Sequence, residues 1–166
     1  MRFDIVTVKN TAWYAIGGWL IRKIEGTETS HCAIIVYTDN GPFVYESVFP
    51  KAKKTPLEDW GKHYKIINRW NYFLDQPHAG SALSWLNRHL TWYALFQLPL
   101  IGLSIVSRAF ALFSRKINLQ IDGNKFHVCS EYVGRWMQKF LDAKFSDPED
   151  FISVKDVEDA NRFINR

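Results

Sequence analysis

A chain of 166 residues, 47% hydrophobic and 23% charged, has the size and composition of one globular domain that buries its own core, which excludes a disordered or collagen-like chain. Two cysteines are too few for a disulfide framework, and no repeat of about 20–50 residues points to a solenoid. The net charge of +4 comes from 21 Lys and Arg against 17 Asp and Glu scattered along the chain, which speaks against a nucleic-acid partner.

The first eight residues alternate in character and lack the long apolar run of a secretory signal, so a cytoplasmic protein with reduced thiols is expected. Residues 3–8 alternate apolar and polar side chains, the period of a half-buried strand. Residues 12–24 place Ala12, Ile16, Leu20 and Ile24 at helical spacing, interrupted by Gly17-Gly18. After a Gly26-Thr-Glu-Thr turn, residues 31–37 are rich in Ile and Val and read as a buried strand. Asp39-Asn-Gly-Pro is a turn signal, and residues 43–49 follow as the second strand of a hairpin, ended by Pro50. Lys51, Lys53 and Lys54 read as a solvated turn. Pro56 suits the first position of a short helix. Residues 63–70 read as a strand, and 77–89 as the start of a helix.

Residues 90–107 carry no charge. A spanning helix needs about 20 apolar residues, and Pro99 and Gly102 cut this stretch near its middle. Two helices broken at Pro99 are preferred over a segment dipping into a membrane surface or a true span. Residues 116–126 read as a strand pair around Asp122-Gly-Asn. Cys129, Val133, Trp136, Met137, Phe140 and Leu141 then lie on one helical face, with Cys129 in the first turn. Asp147-Pro-Glu-Asp is a turn before a short C-terminal element. No linker interrupts the chain, so residues 1–166 read as one α+β domain with an apolar helical segment inserted at about 81–115.

Three residues carry the candidate chemistry. A thiol at a helix N-terminus faces unpaired backbone N–H groups and the positive end of the dipole, which favour thiolate and could hold an oxyanion. Alone, Cys129 reads first as a small buried apolar residue. His31 at the start of an apolar strand could act as its base, although a lone His reads first as a satisfied core side chain. Glu46 lies mid-strand, with Val44 and Val48 by alternation, where packing explains a carboxylate poorly. The hairpin can set Glu46 beside His31, to fix its tautomer and stabilise imidazolium. Cys32 points to the strand face opposite His31 and reads as the structural cysteine. A redox pair of Cys32 with Cys129 is a rival reading. No motif for a metal or a nucleotide occurs, so no metal and no cofactor are expected.

The order of these motifs resembles the circularly permuted papain-like cysteine hydrolases of the NlpC-type superfamily, in the YiiX-like and lecithin–retinol acyltransferase-like branch. The residues that carry the likeness are Phe3-Asp-Ile-Val-Thr-Val, Gly26-Thr-Glu-Thr-Ser-His-Cys-Ala-Ile-Ile-Val, Val44-Tyr-Glu-Ser-Val, Thr55-Pro-Leu-Glu-Asp-Trp, Cys129-Ser-Glu-Tyr-Val and Asp147-Pro-Glu-Asp. They cover most of the chain outside residues 70–120. Phe3 stands where the family has Gly, and the Asn-Cys-Glu-His-Phe motif of the acyltransferases proper is missing. The resemblance implies a permuted papain-like fold whose antiparallel sheet packs against the Cys129 helix. It also implies Cys129 as nucleophile, His31 as base and Glu46 as orienting residue.

The substrate would be a peptide or peptidoglycan amide, an ester or a lipid acyl group. Tyr45, Trp92, Tyr93 and His127 are the candidate substrate-binding residues. Lipid processing would bring peripheral membrane contact through residues 90–113. The alternative is a non-catalytic binding or membrane-associated protein, of bacterial or phage type, on a decayed papain-like scaffold.

Overall fold

The structure is a computed structural model and describes residues 1–10, 22, 26–48, 51–90, 129–145 and 152–165. Its five strands are β1 (Arg2–Asn10), β2 (His31–Thr38), β3 (Gly41–Glu46), β4 (Lys53–Pro56) and β5 (Tyr64–Phe73). They form one antiparallel sheet in the order β4-β3-β2-β1-β5. Four helices complete the described residues: α1 (Leu57–Gly61), α2 (Gln76–Arg88), α3 (Cys129–Leu141) and α4 (Val154–Ile164). The chain is therefore α+β.

Both faces of the sheet are covered, which is why β2 reads as an unbroken apolar run rather than an alternating one. On one face Phe3, Ile5, Cys32, Ile34, Val36 and Tyr45 pack with α2, α3 and α4 through Leu86, Tyr132, Val133, Trp136, Met137 and Val157. On the other, Val6, Val8, Ala33, Ile35 and Val44 lie under Trp60 of α1. The apolar stripe expected from Cys129 to Leu141 faces the first of these clusters.

Local chemistry fixes the helix starts. The Asp75 side chain accepts from the His78 backbone N–H at 3.2 Å, with Pro77 in the first turn of α2. Ser153 and Asp156 form a capping box at α4, at 3.1 Å and 2.8 Å. The buried Glu158 carboxylate ties α4 to the sheet, accepting from Thr7 at 2.8 Å, Thr29 at 2.6 Å and Asn68 at 3.1 Å. Gly134 lets α3 approach the lead-in to α4. A Cβ there would lie 2.5 Å from Ile152 Cδ1.

The structure differs from the sequence reading at four places. Lys53 and Lys54 are not in a solvated turn. They belong to β4, an edge strand paired with β3 from Phe43↔Pro56 to Glu46↔Lys53. Pro56 closes β4 and precedes α1, rather than taking its first helical position. The second hairpin strand runs from Gly41 to Glu46, not through residue 49. The C-terminal element is an 11-residue helix rather than a short piece.

Pro50, the strand pair at 116–126, the Asp147 turn and nearly all of the segments 12–24 and 90–107 lie outside the described residues. Among the described residues no helix is long and apolar enough to cross a membrane.

Candidate active site

The first two residues of β2 extend past the end of β3. The β2–β3 pairing begins at Ile34↔Tyr45, and continuing that register sets Glu46 opposite Ala33. His31 is then the diagonal neighbour of Glu46 on one face of the sheet, within reach of a long side chain. The contact is made: His31 Nε2 lies 2.7 Å from Glu46 Oε2, with the carboxylate fully buried. Across the next pair, Lys53 brings its ammonium 3.4 Å from Glu46 Oε1, and half of the Lys53 side chain remains in solvent.

Aromatic rings close this side of the site. The His31 ring stacks on Tyr64 at 5.4 Å between centroids, and Tyr64 stacks on Trp60 at 4.8 Å. Glu46 Oε1 and Trp60 Nε1 are both buried without a well-formed hydrogen bond. The carboxylate is thus held in an apolar pocket by the cations beside it. Burial pushes the Glu46 pKa up, but the hydrogen bond and charge of His31 outweigh it, aided by Trp60 and Lys53, so the pKa lies below its ordinary value. Burial and the negative charges of Glu46 and Cys129 raise the pKa of Tyr64.

Cys129 begins α3 and is half-buried. It lies beside the first two residues of β2, His31 and Cys32, both of which lower its pKa. Those side chains leave the strand on opposite faces: Cys32 joins the cluster under α3, while His31 joins Glu46 and Tyr64. Cys129 therefore meets β2 at its end, where β3 no longer covers it.

The Cys129 pKa is lowered well below its ordinary value. The hydrogen bond from the Cys32 thiol contributes most. Burial opposes it, and the charge and hydrogen bond of His31 and the Cys32 backbone N–H add to it. For His31, burial alone would lower the pKa. The Cys129 thiolate, by charge and hydrogen bond, and then Glu46 reverse this and raise it to about 10. Both shifts favour a thiolate–imidazolium pair backed by a carboxylate. With Nε2 committed to Glu46, Nδ1 is the ring nitrogen left for Cys129.

Of the residues predicted from sequence, Cys129, His31 and Glu46 are brought together. Alternation turns Tyr45 to the α3 face, opposite His31 and Glu46, where it is fully buried with its hydroxyl donating to Asn87 Oδ1 at 2.9 Å. Trp92, Tyr93 and His127 lie outside the described residues.

Sequence reasoning missed Lys53, Trp60 and Tyr64, and read Cys32 first as structural, with a redox pair with Cys129 as the rival. A signal for Trp60 existed in the Thr55-Pro-Leu-Glu-Asp-Trp segment, whose short helix carries it onto the Glu46 side of the sheet. Among the described residues no group of three or more His, Cys, Asp or Glu side chains is arranged to hold a metal ion. No protein-family model and no curated protein matches the sequence.

Proposed function

We propose that this chain is a cysteine-dependent hydrolase or acyltransferase on a permuted papain-like domain, acting on an amide, ester or lipid acyl carbonyl. One observation carries the reading: the buried His31 ring holds a carboxylate at 2.7 Å and lies beside the half-buried thiol that opens a 13-residue helix. A nucleophile, a base within hydrogen-bond reach and a third group orienting that base are the parts acyl transfer needs. The motif order that resembles the permuted papain-like hydrolases supports the same assignment.

In this reading the Cys129 thiolate attacks the carbonyl carbon and the C=O electron pair moves onto oxygen. Backbone N–H groups in the first turn of α3 stabilise that oxyanion, because they have no partner within the helix. The tetrahedral intermediate collapses, and the His31 imidazolium gives its proton to the departing nitrogen or oxygen. Neutral His31 then takes a proton from the water or acceptor alcohol that attacks the acyl-enzyme, and the thiolate leaves. Glu46 holds the ring in place and stabilises its charged form throughout.

The test is the rate of Cys129 alkylation by iodoacetamide against pH, read by intact mass, in the wild type and in His31→Ala. Rapid modification well below the ~8.5 pKa of a free thiol, moved to higher pH by losing His31, is the expected result. Slow modification of both proteins overturns the proposal and leaves a non-catalytic binding protein.

A further inference from the structure

The hydrolytic chemistry uses Cys129 but gives the Cys32 side chain no part in bond making. Neither is in a disulfide; Cys32 is fully buried and Cys129 half-buried. Strand alternation turns Cys32 toward the face covered by α3, and α3 opens at Cys129, which packs on the cluster containing Cys32. The Cys32 side chain and its backbone N–H both lower the Cys129 pKa, in keeping with this placement. The exposures are unequal. Cys129 is the more exposed of the two, whereas Cys32 is screened from solvent.

We propose that Cys32 is a resolving thiol, which closes a reversible Cys32–Cys129 disulfide when a hydroperoxide oxidises the site. The Cys129 thiolate attacks one peroxide oxygen and the O–O bond breaks. Sulfur is oxidised to sulfenic acid, and the peroxide is reduced to hydroxide. The Cys32 sulfur then attacks the Cys129 sulfur. The S–S bond forms, the S–O bond breaks, and the leaving hydroxide departs as water with the Cys32 proton. An external dithiol reverses the step by exchange. The disulfide removes the nucleophile and shields it from irreversible oxidation. The proposal rests on Cys129 being a thiolate, as in the function proposed above, but not on which bond it cleaves.

The experiment uses the full chain, reduced, freed of reductant and treated with excess hydrogen peroxide. Intact mass is expected to fall by two hydrogens, with a cross-linked Cys32–Cys129 peptide in the map. Iodoacetamide labelling of Cys129 is lost and returns with dithiothreitol. In Cys32→Ala, Cys129 gains two or three oxygens instead, and labelling does not return. A wild type that gains oxygens, cross-links between two copies or keeps its mass overturns the proposal, and that result stands whether or not the variant folds. Alkylation of the same reduced sample against pH separates the two ideas. Fast labelling at low pH without the cross-link sinks the resolving thiol alone. Slow labelling removes the thiolate on which both rest.

Discussion

Replacing Glu46 by Gln keeps the shape of the side chain and an acceptor oxygen for His31, and removes only the charge. The pair is buried and separated by 2.7 Å. A hydrogen bond to a charged group contributes about 1.5–3 kcal/mol, and one pKa unit is about 1.4 kcal/mol, so losing the charge should lower the His31 pKa by about 1–2 units. From about 10 in the wild type, that places His31 near pH 8–9 in the variant. The Cys129 titration should move little, and toward lower pH, because a nearby negative charge has been removed. Nitrogen NMR of the imidazole, assigned by its loss in His31→Gln, follows the first group. Far-ultraviolet thiolate absorbance follows the second. A His31 titration unchanged in Glu46→Gln would refute the claim that the carboxylate holds the imidazolium, and so would a thiolate that forms only at higher pH.

Two further substitutions test the scaffold around the site. Gly134→Ala should destabilise despite the gain of about 1 kcal/mol in helix propensity, because its Cβ meets Ile152 Cδ1 at 2.5 Å and Cγ2 at 2.9 Å, and overpacking costs about 1–3 kcal/mol. A urea midpoint equal to or above that of the wild type contradicts this. Glu158→Ala removes the acceptor for Thr7, Thr29 and Asn68 and should cost about 1–3 kcal/mol for each donor left unpaired. Glu158→Gln, which keeps an accepting oxygen, should lose clearly less. Equal urea midpoints for the two variants would show that the carboxylate does not latch α4.

What could be read in advance was set by short-range rules. The period of two in β1 and the apolar run of β2 follow from the faces they cover, and the i, i+4, i+7 stripe from Cys129 follows from helix geometry. Glu46 was visible as a carboxylate where packing has no use for one. The edge strand β4 was not visible, because Lys-Lys-Thr-Pro has no alternation of its own and is held by its pairing with β3. Lys53 faces Glu46 only through that pairing, so it was hidden with the strand. Cys32 shows a subtler limit. Alternation correctly turns it away from His31, but alternation within one strand does not reveal which helix covers which face. Since α3 covers the Cys32 face and ends its approach at the strand terminus, Cys129 meets both side chains.

The thiolate–imidazolium pair also sets how stability runs with pH. The His31 pKa is raised, so its contribution is complete below its ordinary 6.5 and is lost as pH rises toward about 10. The Cys129 pKa is lowered from its ordinary 9.0, so its contribution is complete above 9.0 and is lost as pH falls. Above the lowered Cys129 pKa, and between 6.5 and 9.0, the two slopes cancel. There the folded pair holds one proton, on the imidazole, and the unfolded chain also holds one, on the thiol. The pair therefore contributes a plateau, which falls away on the acid side as the thiolate protonates and above 9.0 as the imidazolium deprotonates. In His31→Gln the cancelling partner is gone. The contribution of the Cys32 thiol, which outweighs burial, still lowers the Cys129 pKa, so stability should rise with pH toward 9.0. The urea midpoint of the variant should thus climb relative to that of the wild type as pH rises to 9.0, with the other titrating groups common to both. A difference that stays constant would mean that Cys32 does not hold Cys129 as thiolate, against the lowered pKa on which the nucleophile rests.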